Sequence, residues 1–297
     1  MTLPSLLRLF QAIEGGSRFW TSELVAHGAD ELISRIIAGS YDNSKTSALR
    51  IKKELMTHSF DELMSEIHSS NARFITSESS EWPDALNELV APPIGLIIKG
   101  ECLGTRNVAI VGTRNPTTYG ARIASEFASG FADRQWAVTS GGAYGIDTHA
   151  HRGCIAAEGK TYAVLASGVN VEYPAGNARL FSEIQETGAL ISEVMPSIKA
   201  RPERFLTRNR IIAAMSRATI VVEAAFRSGS LRTARDAAEL MRTVMAVPGP
   251  ISSPTSDGCH RLIGERCAEI VTSISDALEL LMPLAPKITS TLGVDVT

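Results

Sequence analysis

The stretch Val108-Ala109-Ile110-Val111-Gly112-Thr113-Arg114 decides the fold. Its short apolar run is too brief for a helix face and ends in a glycine turn, so it reads as a strand buried on both sides. A helix-length segment separates it from the next such run, Ala137-Val138-Thr139, which again ends in a turn, Ser140-Gly141-Gly142. Strand, turn, helix and strand make a β-α-β unit, whose crossover allows the two strands to pair in parallel.

The same alternation continues outward. Apolar runs follow at 161–165, 189–192, 219–222 and 244–247, and others precede at 73–76 and 94–99, the latter just after Pro92-Pro93. Helix-length segments lie between most of them. The expected fold class is therefore α/β: an extended Rossmann-like, mainly parallel sheet flanked by helices, over residues 71–282. Before it, residues 5–13, 21–27, 29–37 and 45–56 place apolar side chains at helical spacing, with Gly15-Gly16, Gly28 and Gly39 as breaks. That predicts a small all-helical domain over 1–70. Residues 283–297, with two prolines and small polar residues, read as a flexible tail.

Composition bounds the function. The 297 residues are 44% hydrophobic and 21% charged, ordinary values for a globular protein. No apolar stretch approaches the roughly 18 residues of a membrane-spanning helix. Arg8 interrupts the apolar start and no small-residue cleavage site follows, so no secretory signal is expected. Cys102, Cys154, Cys259 and Cys267 contain no Cys-x-x-Cys pair, which suits reduced thiols rather than a disulfide framework or zinc site. A cytoplasmic protein without a metal is the expectation. The net charge of −3 offers no global basic excess for a nucleic acid. Its distribution is uneven, however: residues 201–242 hold nine Arg against four acids, while residues 1–72 carry seven bases against nine acids. Of the 29 basic residues 22 are Arg, whose planar fork matches phosphate geometry.

In an open parallel sheet, ligands bind beyond the carboxyl ends of the strands. Four loops there are alike. Gly112-Thr113-Arg114 leads to Tyr119-Gly120 at a helix start, and Ser140-Gly141-Gly142 leads to Asp147, a candidate N-cap. Ser167-Gly168 precedes Tyr173-Pro174 and Asn177, and Glu223 precedes Ser228-Gly229-Ser230, with a helix expected near Thr233-Ala234. Glycine turns at helix starts present backbone N–H groups that grip phosphates without reading a base. The Gly-x-Gly-x-x-Gly and Gly-Lys-Ser/Thr patterns are missing from these loops, which disfavours NAD and ATP. Arg208-Asn209-Arg210 is expected at another helix start, where cations oppose the dipole unless an anion faces them. The competing explanation pairs them with Glu193 or Glu223 inside the fold. Tyr173 and Tyr119 are candidate base-stacking aromatics, whereas Phe181 fits a core better. About four phosphate contacts would give log affinity a slope near −3 against log salt. His149, His151 and Cys154 do not suggest a metal site, because residues two apart do not share a helix face. Cys259-His260 with Cys267 is similar.

The ordered succession of Val108–Arg114, Ser140–Asp147 with His151, Tyr173-Pro174 and Asn177, Ile191-Ser192-Glu193, Arg208–Ala213, Val221–Ala224, Ser228–Ala234 and Val247-Pro248-Gly249 resembles the DprA/Smf family. The resemblance spans about residues 72–275. It implies a homodimeric cytoplasmic protein that binds single-stranded DNA, shields it, and loads a RecA-type recombinase during natural transformation. It implies no cofactor and no catalytic residue, and so not an enzyme. By matching position, the 112–114 loop, Ser140-Gly141, the Tyr173-to-Asn177 turn and the Arg208-Asn209-Arg210 segment would form the DNA pocket. With the loop residues above, the DNA-binding candidates are Gly112, Thr113, Arg114, Tyr119, Gly120, Ser140, Gly141, Gly142, Tyr173, Asn177, Arg208, Asn209, Arg210, Ser228, Gly229 and Ser230. Residues 1–70 are similar only in layout to the family's sterile-alpha-motif-like domain, and the winged-helix module that ends many members is not expected here. Departures from the family pattern fall at Tyr144, Ala175-Gly176, Cys259-His260 and Cys267. The alternative is an enzyme resembling the lysine-decarboxylase-like nucleoside-monophosphate phosphoribohydrolases. The stretch 227–233 lacks that family's glycine density and its glutamate, leaving Glu193 and Glu223 as candidate acids.

Overall fold

The computed structural model describes residues 2–42 and 46–281, so the predicted tail and Lys45 lie outside the described residues. Five helices come first: α1 (Leu3–Ala12), α2 (Arg18–His27), α3 (Ala29–Ile37), α4 (Ala48–Thr57) and α5 (Phe60–Ser69). Their local signals are legible. Ser59 and Glu62 form a reciprocal capping box at the start of α5, and Gly28, at φ +74°, separates α2 from α3. Leu6, Leu9, Trp20, Leu24, Leu32, Ile36, Ile51 and Leu55 close a core among α1 to α4. A second cluster joins Leu7, Phe10, Leu63 and Ile67 to Ile97, Leu165, Phe181 and Leu190, so these helices also pack on the α/β part of the chain.

The strands are β1 (Arg73–Ile75), β2 (Leu96–Gly100), β3 (Asn107–Gly112), β4 (Ala137–Ser140), β5 (Thr161–Leu165), β6 (Ala189–Ser192), β7 (Ala218–Val222), β8 (Thr243–Ala246) and β9 (Glu269–Ile270). Between them run α6 (Thr118–Ala132), α7 (Ile146–Ala156), α8 (Ala178–Thr187), α9 (Pro202–Met215), α10 (Ser230–Glu239) and α11 (Asp257–Gly264), and α12 (Ile274–Leu281) comes after β9. All nine strands form one sheet in the order β1-β2-β6-β5-β4-β3-β7-β8-β9. The six strands from β6 to β8 and the β9 edge are parallel, while β1 and β2 pair antiparallel, with Ile97 opposite Ser192. This is the expected mainly parallel Rossmann-like sheet.

Both faces are covered. On one, Tyr162, Val164 and Ile191 pack with Ile211, Met215, Leu231 and Leu262 of α9, α10 and α11. On the other, Val108, Ile110 and Val138 meet Phe127, Phe131 and Ala150 of α6 and α7. Full burial on both sides is why these strands read as continuous apolar runs.

Strand order reverses at β3: β4, β5 and β6 continue to one side, β7 and β8 to the other. Loops leaving β3 and β7 therefore diverge and leave a crevice at their carboxyl ends.

Around the crevice, the boundaries of three helices differ from expectation. Helix α9 begins at Pro202, so Arg208-Asn209-Arg210 lies in its middle and not at its start. Helix α7 is preceded by Gly145, at φ +82°, so Asp147 is not its N-cap. Helix α10 starts at Ser230, ahead of Thr233-Ala234.

Candidate nucleic-acid interface

The crevice at the β3/β7 reversal is a cleft of about 590 Å³. Its walls come from the β3–α6 loop (Gly112, Thr113, Arg114), the β7–α10 loop (Arg227, Ser228, Gly229, Ser230) and one face of α9 (Phe205, Arg208, Asn209, Ile212). Eight of the predicted residues meet here: Gly112, Thr113, Arg114, Arg208, Asn209, Ser228, Gly229 and Ser230. Gly112 has no alternative, because a Cβ there would fall on Val222 O and Ile146.

The two basic groups that open onto the cleft are Arg114 and Arg227. Both are exposed. Arg114 lies 5.1 Å above the Phe205 ring, and Tyr173 meets the same ring edge-on at 5.7 Å. Helix α10 starts at the cleft without a side-chain cap, and Ser228 and Ser230 hydroxyls stand 2.7 Å apart beside it. Hydroxyls, the positive end of the α10 dipole and two guanidinium groups thus face one space, an arrangement suited to an anion. The cap of α6 differs: Thr117 already accepts from Gly120 N at 3.2 Å.

Arg208 plays another part. It is 7% exposed, and its guanidinium donates to Gly141 O at 2.7 Å and to Val164 O. Burial pulls its pKa down to about 10, against the pull of Asp147. Burial likewise raises the Asp147 carboxyl, against the Arg208 charge and hydrogen bonds from Gly141 N (3.1 Å) and Ala143 N (3.3 Å). The Arg208 bonds tie the ends of β4 and β5 to α9, and the buried guanidinium is thus taken up inside the fold. Asn209 donates to Gly229 O at 3.3 Å and so sets the β7–α10 loop.

The remaining candidates lie around the cleft. Ser140 is fully buried on Ile110 O, Gly141 and Gly142 (φ +67°) form the turn beneath Arg208, and Asn177 holds that turn through Gly142 O at 3.0 Å. Tyr119 sits on the far side of the β3–α6 loop, bonded to Pro248 O at 2.9 Å, and Gly120 packs against Glu223. Arg210 points away from the cleft and pairs with Glu193. For Arg210, the internal ion pair weighed in the sequence is what the structure contains. Phe181 is buried in a core, as expected.

Both candidate acids of the enzyme alternative are engaged. Glu223 accepts from Thr117 N (2.9 Å), Thr117 Oγ1 (2.5 Å) and Thr255 Oγ1 (3.3 Å), and Glu193 holds Arg210. Among the described residues no group of three His, Cys, Asp or Glu is placed to hold a metal ion, and no helix is long and apolar enough to cross a membrane.

Phe205 and Arg227 were missed in the sequence. Pro202 was the available signal for Phe205. Proline favours the first turn of a helix, and a helix starting there puts residue 205 on the face of Arg208 and Asn209.

The doubly covered sheet with its cleft at the strand-order reversal defines a Rossmann-like α/β protein. Residues 73–282 match the model of the DNA recombination-mediator protein A family, and the chain belongs to that family. The DNA processing protein DprA of Bacillus subtilis is 34% identical over 243 residues, 81% of this chain and 82% of that protein. The crystal structure of DNA processing protein A from Streptococcus pneumoniae superposes with a TM-score of 0.81 at 31% identity, covering 94% of this chain and 98% of that one. The Helicobacter pylori DNA processing protein A, whose structure is described for its single-stranded DNA binding mode, gives a TM-score of 0.65 at 28% identity over 71% of this chain and 97% of that one.

Proposed function

We propose that this chain binds single-stranded DNA in the cleft between β3 and β7. The DNA backbone runs between Arg114 and Arg227 and over the start of α10, while the Phe205–Tyr173 pair offers a ring to a base. The chain protects the strand, acts as a cytoplasmic homodimer, and hands the DNA to a RecA-type recombinase during DNA uptake. Membership in a recombination-mediator family supports this, as does the Helicobacter pylori relative described for binding single-stranded DNA. The observation that carries it is the pair of exposed arginines flanking an uncapped helix start across one cleft. With Arg208 and Arg210 engaged inside the fold, two cations remain, and the slope of log affinity against log salt should be about −1.4 rather than −3.

The test is a titration of a fluorescent oligothymidine and of the matching duplex at two salt concentrations. Preference for the single strand with a shallow salt slope is expected. Equal affinity for duplex, or no salt dependence, would overturn the proposal.

A further inference from the structure

Helix α9 has two working faces. Phe205, Arg208, Asn209 and Ile212 form the cleft wall. Arg204, Thr207 and Arg210, each three residues from the next, share another face, and this one meets the turn between α1 and α2. Arg204 grips Glu14 with two bonds, at 3.1 and 2.7 Å. Gly16, at φ +76°, lies against Thr207 and Arg210. Arg210 pairs with Glu193 at the end of β6, both side chains being 12% exposed. The Glu193 carboxyl group occupies the space a Cβ at Gly15 would take.

These polar clamps dominate the junction. A cavity of about 270 Å³ lies between the turn and α9, lined by Glu14, Gly15, Glu193, Arg204, Thr207 and Arg208. Arg210 Nε and Nη1 are buried without a partner, so Glu193 supplies the hydrogen-bonded counter-charge, with Asp236 acting only through its charge. Loss of the Glu193 contact removes the hydrogen-bonded counter-charge of a largely buried cation, a strain that movement of α9 relieves.

The geometry points to Glu14, Gly15 and Glu193 as positioning residues for the cleft: the first helices set where α9, and with it Phe205 and Arg208, stands. This rests on the single-stranded DNA reading of the cleft for its functional consequence, though not for the clamp itself. None of the three residues lines the cleft, so they alter affinity without altering the number of phosphates held.

The experiment substitutes Gly15→Ala, which pushes the Glu193 carboxyl group off Arg210. Oligothymidine binding should weaken about five-fold, with the salt slope unchanged. Adding Glu193→Asp, one methylene shorter, should restore it. Val271→Ala, in the core on the far face of the sheet, serves as the control for general destabilisation and should leave affinity as it was. Wild-type affinity in Gly15→Ala, an equal loss in Val271→Ala, no restoration by Glu193→Asp, or a shallower salt slope would overturn the inference. Should the wild-type chain not bind the oligonucleotide, the DNA reading fails. Amide exchange of α9 in the free protein, expected to be faster in Gly15→Ala and restored by Glu193→Asp, then decides the clamp by itself.

Discussion

Replacing Arg114 by alanine separates phosphate contact from structural support more cleanly than any other change at the cleft. The side chain is exposed and its described partner is the Phe205 ring, 5.1 Å away. An exposed cation–π contact is worth about 0.5–1 kcal/mol, so the fold should survive with a small drop in melting temperature. The effect on DNA is larger. A charge-assisted hydrogen bond contributes about 1.5–3 kcal/mol, so affinity should fall at least about ten-fold. Each phosphate neutralised on a single strand adds about 0.7 to the salt slope, which should therefore halve, from about −1.4 to about −0.7. Between 50 and 200 mM salt that is a loss of roughly seven-fold for the wild-type chain and under three-fold for the variant. Fluorescence anisotropy with a short oligothymidine measures both quantities. Parallel salt lines for the two proteins would show that Arg114 meets no phosphate, and the account of the cleft would fall with it.

Arg208→Met should behave in the opposite way. It strips Asp147 of its buried counter-charge and should cost about 3–5 kcal/mol of stability in a denaturant titration, with the salt slope of whatever still binds unchanged. An undiminished denaturation midpoint would refute the structural role. The buried His151 predicts an acid limb. Thr161 Oγ1 donates to Val138 O at 2.8 Å, so it accepts from His151 Nδ1 at 2.7 Å, and Nε2 is left buried without a partner. Burial, with the Arg208 charge second, pulls this imidazole down to about 3. The unfolded chain takes up that proton near pH 6.5 and the folded one does not, so the contribution is full above pH 6.5 and is lost progressively as pH falls toward 3. His151→Asn should flatten the fall by up to about 1.4 kcal/mol per pH unit, and an unchanged acid limb would refute it.

Legibility followed the range of the interactions. The inner strands were readable because burial on both faces turns them into apolar runs; β9, two exposed residues, has no such run. The cleft loops were readable because a glycine turn at the carboxyl end of a strand is a local signature, although the crowding that demands Gly112 comes from Val222 of β7 and Ile146 of α7. The start of α9 is set by Pro202, more than a turn before the arginine cluster, so the dipole of the helix start does not act on Arg208-Asn209-Arg210. Pairings across the fold left no local trace. Glu193 was a candidate for Arg210, but nothing near either residue shows that Gly15 makes room for the carboxylate between them. Asp147 had the residue type of a cap and instead accepts from Gly141 N and Ala143 N within the preceding turn, near the charge of Arg208 that tertiary structure brings there.

The antiparallel edge of the sheet has a consequence for biosynthesis. Strand β2 pairs with β1 on one side and with β6 on the other, Ile97 opposite Ser192. During translation the β1–β2 hairpin leaves the ribosome with one flank unpaired, and β3, β4 and β5 must all emerge before the strand that covers it is made. An unpaired strand flank is a template for joining another chain. The nascent protein is therefore most vulnerable to aggregation over that interval, and it leaves it when β6 arrives, before the cleft is complete.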